Sequence, residues 1–310
     1  MARYTQVATV SWRGGTTGET PEEKIAANRA GQLRLVERAC FDQPDFVCMT
    51  EVITWYGLNK EHLALIAEPL DGPTIQTFAD VARRQACYII VPIYTWEDGH
   101  IFNAQVLLDR NGKISAVYHK IHPTINEIEM GVTPGTEAVV TETDKGRIGF
   151  AICFDLNFRD VAEGNAAGGA ELVFFSSMYP GGLQLRIWAH DFGVYVASAT
   201  PGDRARIVDP LGRVLTESDA TYNPILSKKL NLDYEVMHLS GNVNQFEAIK
   251  EKYGAGIEFD VTRPEAIFCM YSHSPEVTCE EVIREFELEK RFAYYRRASR
   301  VRATALPRRK

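Results

Sequence analysis

The chain has 310 residues, of which 45% are hydrophobic, an ordinary composition for a soluble globular protein with one large domain or two smaller ones. No apolar run approaches the roughly 20 residues that span a bilayer, and the N-terminus lacks the pattern of a secretory signal, so we expect a cytoplasmic protein with no membrane partner. The net charge is −7, but residues 291–310 contain eight basic residues and no acidic one, so the rest of the chain carries −15. This strongly acidic remainder argues against nucleic-acid binding.

The N-terminal third alternates short β-rich runs with helical patterns, an order typical of an α/β sheet. Pro21 follows Thr20 at a favourable first helical position, and the spacing of apolar residues predicts a helix that ends at about Cys40. A second helix is predicted from about Thr74 to Ala86. The predicted strands are QVATVSW, DFVCMTE and CYIIVPIYTW.

The middle of the chain is richer in predicted strands. HIFNAQVLLD and ISAVYHK are joined by Arg110-Asn111-Gly112-Lys113, and the Asn-Gly pair predicts a hairpin because it accepts positive φ cheaply. GRIGFAIC and ELVFFSS flank a helix predicted from about Phe158 to Ala167. Another helix is predicted near Leu183 to Phe192, before the runs VYVASAT and RIVDPLGRVL. These elements predict a mixed sheet or two stacked sheets.

The C-terminal part has a looser pattern, with helical segments predicted near Asn244 to Tyr253 and at 281–288. No linker separates two domains. The basic end of the chain is either a solvated tail or an arm that docks on the acidic surface of another subunit, which Coulomb attraction favours. We therefore predict a single domain, 1–310, with a core at about 4–235 and an extension at about 236–310 that serves as an oligomerisation arm.

The six cysteines lie far apart in the chain and form no CxxC pair, which argues against a zinc site and against a disulfide framework. We expect reduced thiols. His119 and His122 are three residues apart on an extended run, which is not a zinc-binding spacing. The sequence therefore predicts no metal.

Three ionisable residues end three apolar β-like runs: Glu51 after DFVCMT, Lys120 after ISAVYH and Cys153 after GRIGFAI. If those runs are neighbouring strands, the three side chains emerge at the carboxyl ends of strands, where open α/β sheets place ligands. Considered alone, a charged residue at the end of a strand is more often exposed to solvent, and a cysteine within an apolar run is more often an unreactive core residue. Their convergence is what predicts an active site.

The chemistry of a thiol explains why these three residue types belong together. A free thiol has a pKa of about 8.5, so a neighbouring carboxylate must take its proton during attack, and Glu51 suits that role. Attack on an amide or nitrile carbon develops negative charge on oxygen or nitrogen. The ammonium of Lys120 suits the stabilisation of that charge, together with the backbone N–H of Phe154.

These motifs resemble those of the nitrilase superfamily of carbon-nitrogen hydrolases. The resemblance rests on the glutamate in CMTEVITWYG, the lysine in YHKIHPTINE and the cysteine in GFAICFDLNF, in the family's order and approximate spacing, and it covers residues from about 4 to 235. It implies that Glu51 is the base, Lys120 the oxyanion stabiliser and Cys153 the nucleophile. A second glutamate of the family falls on Glu127, with Glu129 as the alternative.

The resemblance also implies a four-layer αββα sandwich, a homo-oligomer of two or more subunits, and no metal or organic cofactor. The partner is a small-molecule substrate. The candidate substrate-binding residues are Phe154, Asn157 and Tyr179, the last in the SSMYPGG loop that shapes the substrate pocket in the family. Trp55 and Tyr56 are further candidates for the pocket wall, and packing is the alternative explanation for each aromatic residue.

The substrate class follows from the residues beside the nucleophile. Nitrile-cleaving members usually have Trp-Glu after the cysteine, whereas Phe154-Asp155 follows here, as in many amidases and carbamoylases. We therefore predict a hydrolase for a small linear amide or N-carbamoyl compound that acts through a cysteine thioester. PTINE after Lys120 resembles the nitrilase version of the lysine motif, so a nitrilase is the alternative. A binding or assembly protein that kept the fold without turnover is the alternative from a different class.

Overall fold

The computed structural model describes residues 2–12, 14, 17–219 and 221–307. The chain forms two compact units, Thr5–Leu230 and, separately, Met1–Tyr4 with Asn231–Lys310. In the described ranges, no helix is both long enough and apolar enough to cross a membrane. Arg308, Arg309 and Lys310 of the predicted basic arm lie outside the described residues.

The larger unit contains two six-stranded sheets. The first has the strand order β12-β1-β2-β3-β4-β5, with parallel pairing of β1, β2 and β3 and antiparallel pairing from β3 to β5. Its strands are β1 (Tyr4–Val10), β2 (Phe46–Cys48), β3 (Tyr88–Glu97), β4 (His100–Leu108), β5 (Ile114–His119) and β12 (Ile225–Asn231). Strands β1 to β5 are the five that the sequence predicts in this part of the chain.

The second sheet has the order β11-β10-β9-β8-β7-β6, with β7, β8 and β9 parallel to one another. It faces the first sheet, since β2 packs against β9 and β4 against β7. Phe46 and Phe174 meet in this layer with ring centroids 5.5 Å apart. Its strands are β6 (Val140–Thr143), β7 (Gly146–Ile152), β8 (Leu172–Ser176), β9 (Tyr195–Ala199), β10 (Arg206–Val208) and β11 (Val214–Glu217).

Helices cover the outer face of each sheet and complete the predicted αββα sandwich. On the first sheet, a core that includes Val36, Phe78 and Val91 joins two helices to the strands. On the second sheet, Val161, Trp188 and Val196 do the same. The helices of this unit are α1 (Pro21–Ala39), α2 (Leu63–Ile66), α3 (Pro73–Gln85), α4 (Ile125–Glu129), α5 (Arg159–Ala167) and α6 (Gly182–Phe192).

Local signals in the sequence account for several boundaries. Helix α1 begins with a capping box in which Thr20 and Glu23 each bind the other's backbone N–H, with Pro21 as the first helical residue. The hairpin between β4 and β5 is confirmed, but of its two central residues only Gly112 has a positive φ, of 73°. Asp109 closes this turn by accepting from the N–H groups of Asn111 and Lys113.

The smaller unit has a hydrophobic core of its own, around Met237, Phe268 and Val282. The predicted helical segments correspond to α7 and α8, but the sequence analysis missed a three-stranded antiparallel sheet with the order β13-β15-β14. The single domain and its oligomerisation arm stay predictions. The elements are β13 (Tyr234–His238), α7 (Phe246–Tyr253), β14 (Ile257–Thr262), β15 (Ile267–Ser272), α8 (Cys279–Glu285) and α9 (Arg291–Ala305).

Asn165 of α5 fixes the strand that leads to Cys153. The pairing of β7 with β6 stops at Gly149, which lies opposite the first residue of β6. Beyond that point, the Asn165 side chain accepts from the Phe150 N–H and donates to the Phe150 carbonyl, both at 3.0 Å. A Cβ on Gly149 would lie 1.9 Å from Asn165 Oδ1, so only glycine permits this approach. The side-chain amide of Asn165 thus makes the hydrogen bonds to the Phe150 backbone that a neighbouring strand would otherwise make.

We predict that Asn165→Ala lowers the free energy of unfolding by about 3 kcal/mol, because two buried backbone groups of Phe150 lose their partners. Denaturant unfolding followed by circular dichroism measures the change. Asn111→Ala, at an exposed turn position, is the control and should change stability by less than about 0.5 kcal/mol. A loss below about 1 kcal/mol for Asn165→Ala would show that water takes over the bonds of the amide.

Candidate active site

Cys153 lies at a sharp turn immediately after β7. Its φ is +48°, an uncommon value for a residue with a Cβ, and a 3-10 helix begins there. The buried carboxylate of Asp155 holds the turn, since one oxygen accepts from the Ile152 N–H at 2.9 Å and from the Tyr118 hydroxyl at 2.7 Å. The other oxygen accepts from the His122 N–H at 2.9 Å. The position of Cys153 is therefore fixed by a hydrogen-bonded support.

Glu51 follows β2 and is 3% exposed. One of its oxygens accepts from Asn103 Nδ2 at 2.8 Å and from Lys120 Nζ at 2.9 Å, and the other accepts from the Met178 N–H at 3.0 Å. The next residue, Val52, has a φ of +40°, which a β-branched residue adopts only under strain. The backbone thus has a strained conformation immediately after Glu51 and at Cys153, whose side chains point toward one site.

Lys120 directly follows β5 and lies between two carboxylates. Its Nζ donates to Glu51 at 2.9 Å and to Glu127 at 2.7 Å, and the side chain is 1% exposed. Burial alone would lower the pKa of Lys120, but the charges of Glu51 and Glu127 raise it above the ordinary value. The lysine is therefore a permanent cation in a dry environment.

Glu127 lies in α4 and takes part in a capping box with Thr124. Its carboxylate accepts from the Thr124 N–H at 2.8 Å, while its own N–H donates to the Thr124 hydroxyl. Asn103 donates to the remaining oxygen at 2.8 Å. Burial would raise the pKa of Glu127, but Lys120 and these hydrogen bonds lower it. Helix α4 thus positions the carboxylate of Glu127 against the ammonium of Lys120.

The thiol of Cys153 is half-buried beside these charges. Burial, and after it the negative charge of Glu51, raise the pKa of the Cys153 thiol to about 12, although Lys120 acts in the opposite direction. At neutral pH the thiol is therefore protonated. A nucleophilic attack by its sulfur requires a base, and the carboxylate of Glu51 is the acceptor within reach.

A cavity of about 220 Å³ opens onto this cluster. Its polar end is formed by Glu51, Lys120, Glu127 and Cys153, and the remaining wall is largely apolar. A wider cavity of about 430 Å³ lies beside α1 and contains none of these four residues. The smaller cavity is the one that combines an apolar binding surface with convergent polar groups. The lining residues of its apolar wall are Val52, Trp55, Tyr94, Met130 and Met178.

The predicted substrate-binding residues lie beside Cys153 rather than in the cavity wall. The Tyr179 hydroxyl donates to the Cys153 carbonyl at 3.2 Å and accepts from Asn157 at 3.5 Å. Asn157 also donates to the Phe154 carbonyl at 3.1 Å. These three residues form the rim around the cysteine turn. Of the other predicted aromatic residues, Trp55 lines the cavity, while the Tyr56 hydroxyl donates to Thr50.

The assumption that the three motif strands are neighbours was wrong. In the first sheet, β3 and β4 separate β2 from β5, and β7 belongs to the second sheet. The side chains still meet, because the site is formed between two facing sheets instead of along one edge. Across the part of the chain that the structure describes, no cluster of three or more potential metal ligands is present.

Three residues of the site were missed by the sequence analysis: Asn103, Asp155 and Tyr118. Asn103 bonds both carboxylates, but in the sequence it is one polar residue within an apolar strand. Asp155 was used only to judge the substrate class, although it follows the cysteine by two residues. Tyr118 has no local signal, since its hydroxyl partner is 37 positions away in the chain.

The comparison with known proteins gives a consistent result. The sequence profile of the carbon-nitrogen hydrolases, described as "Carbon-nitrogen hydrolase", matches residues 18–235. Over 164 residues, the chain is 31% identical to the nitrilase and fragile histidine triad fusion protein NitFhit of Drosophila melanogaster, an alignment that spans 50% of this chain and 35% of that protein. It is 30% identical to the omega-amidase NIT2 of Homo sapiens over 198 residues, 53% of this chain and 70% of NIT2.

The fold is also found among solved structures. The crystal structure of Saccharomyces cerevisiae Nit3, a member of branch 10 of the nitrilase superfamily, superposes with a TM-score of 0.64 and 20% sequence identity. The superposition covers 81% of this chain and 95% of the yeast chain. The aligned part of this chain spans only about a third of the Drosophila fusion protein, whereas it spans nearly all of Nit3.

We predict that Glu51→Gln lowers the pKa of the Cys153 thiol, because it removes the negative charge that, after burial, does most to disfavour the thiolate. The measurement is the rate of alkylation of Cys153 by iodoacetamide against pH, followed by peptide mass spectrometry to separate it from the other cysteines. Glu163→Gln, at an exposed position of α5, is the matched control. A midpoint that is unchanged or higher in Glu51→Gln would contradict this electrostatic picture.

Proposed function

The chain belongs to the carbon-nitrogen hydrolase family of the nitrilase superfamily, and we propose that it is an amidase that hydrolyses a small linear amide or N-carbamoyl compound through a thioester on Cys153. The observation that carries the proposal is the buried cluster in which Lys120 bonds two carboxylates beside a protonated thiol. In this family, the arrangement supplies a nucleophile, a base and a fixed positive charge without a cofactor.

In the acylation step, the sulfur of Cys153 forms a bond to the amide carbon while the thiol proton passes to Glu51. The negative charge that develops on the amide oxygen is stabilised by the ammonium of Lys120 and by the backbone N–H of Phe154. Glu51 then returns the proton to the leaving nitrogen, the carbon-nitrogen bond breaks, and ammonia departs. The acyl group remains on sulfur as a thioester.

In the deacylation step, Glu51 takes a proton from a water molecule that attacks the thioester carbon. The carbon-sulfur bond breaks, the sulfur recovers its proton through Glu51, and the carboxylic acid leaves. Glu127 stays ionised throughout because Lys120 and the Thr124 backbone stabilise its charge. Its role is therefore to hold the lysine and to balance its charge, rather than to exchange protons.

Two observations support an amide instead of a nitrile as substrate. The human relative NIT2 carries the name omega-amidase, and the residues that follow the nucleophile are Phe154 and Asp155 instead of Trp-Glu. The carboxylate of Asp155 accepts hydrogen bonds from Ile152, Tyr118 and His122. It therefore supports the turn at Cys153 and is not available to the reacting groups.

The expected activity is release of ammonia from a short aliphatic amide at a rate at least 100-fold above that from the nitrile of the same carbon skeleton. Cys153→Ala and Cys153→Ser should lose more than 99% of kcat, because the covalent route is removed. Ammonia is measured by an enzyme-coupled assay, and the thioester by a mass increase on the Cys153 peptide after acid quench.

The matched control is Cys279→Ser, whose side chain can keep donating to the Asp233 and Met270 carbonyls, as the buried thiol does. It should retain wild-type turnover. Release of ammonia from nitriles at the rate seen with amides would identify a nitrilase. A folded protein that released ammonia from no amide, N-carbamoyl compound or nitrile would support the binding-protein alternative.

We further propose that the protein acts as a homo-oligomer in which basic residues near the C-terminus contact an acidic neighbouring subunit. The described part of α9 exposes Arg296, Arg300 and Arg302. Exchange of these three residues for glutamate should yield a smaller assembly by light scattering, because like charges would then face each other. A triple lysine variant keeps the charge and is the control. Unchanged mass in the glutamate variant would refute the arrangement.

A further inference from the structure

Tyr94 is placed beside the catalytic cluster by strand pairing. It lies in β3 directly opposite Asn103 of β4, so the two side chains project from the same face of the sheet. Asn103 bonds both Glu51 and Glu127. Tyr94 is 3% exposed, and its ring packs edge-on against Trp55 with centroids 5.6 Å apart. The ring is therefore a fixed part of the cavity wall.

The side chain of Tyr94 is almost completely buried, and its hydroxyl forms no hydrogen bond with another described residue. The hydroxyl oxygen is not itself fully buried, because it is open to the cavity. Buried tyrosine hydroxyls normally have a partner, because an unpaired polar group in a dry environment costs free energy. Tyr118 shows the ordinary case, with its hydroxyl donating to Asp155 at 2.7 Å. Since Tyr94 lines the cavity, its free hydroxyl is available to a ligand.

The electrostatics of the site make this hydroxyl a donor. Burial, and then the charges of Glu127 and Glu51, raise the pKa of Tyr94 above its ordinary value. The hydroxyl therefore keeps its proton at any pH at which the enzyme is stable. A donor in a desolvated wall recognises an acceptor oxygen and discriminates against a ligand that lacks one.

The charges of the cavity indicate which acceptor is suitable. Among the described residues that line it, two carboxylates face a single ammonium, and no arginine is present. The ammonium of Lys120 is already bonded to both carboxylates. An acyl group with its own carboxylate would thus enter an apolar cavity of net negative charge without a cation to receive it.

We propose that Tyr94 is a specificity-determining residue whose hydroxyl donates a hydrogen bond to an uncharged oxygen in the acyl chain of the substrate. This inference rests on the proposed amidase function. It narrows the substrate class to short, uncharged amides with an ether, hydroxyl or carbonyl oxygen in the acyl chain. The apolar wall of Val52, Trp55 and Met130 binds the carbon skeleton.

The test uses two nearly isosteric amides, methoxyacetamide, which has an acceptor oxygen in its chain, and butyramide, which has a methylene group there. Wild-type kcat/KM should be higher for methoxyacetamide. In Tyr94→Phe, kcat/KM for methoxyacetamide should fall about tenfold, mainly through KM, while that for butyramide changes less than about twofold. The wild type should also hydrolyse methyl succinamate at least tenfold faster than succinamate, whose carboxylate is charged.

The control is Tyr88→Phe, at the other end of β3 and outside the cavity lining, which should leave both substrates unaffected. Because Tyr94→Phe removes a hydroxyl that has no hydrogen-bond partner among the described residues, its melting temperature should be unchanged or higher. Equal losses with both amides would place Tyr94 at the reaction centre, and unchanged kinetics would show that it binds water only; either result overturns the proposal. If the wild type hydrolyses neither amide nor any other, the proposed function itself is wrong.

Discussion

The candidate active site depends on the buried cation of Lys120, which lies between the carboxylates of Glu51 and Glu127. Burial of charges is costly, and such a cluster persists only when each charge is paired and its remaining oxygens accept hydrogen bonds. Asn103, the Met178 N–H and the Thr124 N–H provide those bonds. Loss of one partner from a buried ion pair typically costs about 3 to 5 kcal/mol, so geometry and stability are coupled here.

The two-sheet architecture explains how this cluster is assembled. Lys120 and Glu51 come from the ends of two strands in the first sheet, and Cys153 comes from the end of β7 in the second. Each position is held by rigid elements behind it, including the Asp155 carboxylate under the cysteine turn and the Asn165 amide along β7. The strained φ values of Val52 and Cys153 are the local cost of pointing both side chains into one space.

The electrostatics link this arrangement to chemistry. Burial and, after it, the charge of Glu51 raise the pKa of the Cys153 thiol to about 12, so the thiol by itself is a poor nucleophile. In the proposed mechanism, the same Glu51 is the base that removes its proton. In the proposed mechanism, the thiolate and oxyanion charges are therefore generated only during the reaction, when the developing oxyanion lies near Lys120. The proposed mechanism requires the site to stabilise charge in the transition state more than in the resting enzyme, which is the general requirement for catalysis.

The sequence by itself determined the α/β alternation, most strands and helices of the sandwich, and the three residues at the ends of apolar runs, because periodicity and capping are local properties. Glu127 followed from the family resemblance, through its spacing from Lys120. Only the tertiary structure decided that the motif strands come from two sheets, and that β13 to β15 form a sheet in the smaller unit. It also showed that Asn103, Asp155 and Tyr94 lie at the candidate site, although in the sequence they look like ordinary strand or turn residues. Their roles depend on partners tens of residues away, and a hydrogen bond or a shared cavity between such residues exists only once the sheets have packed.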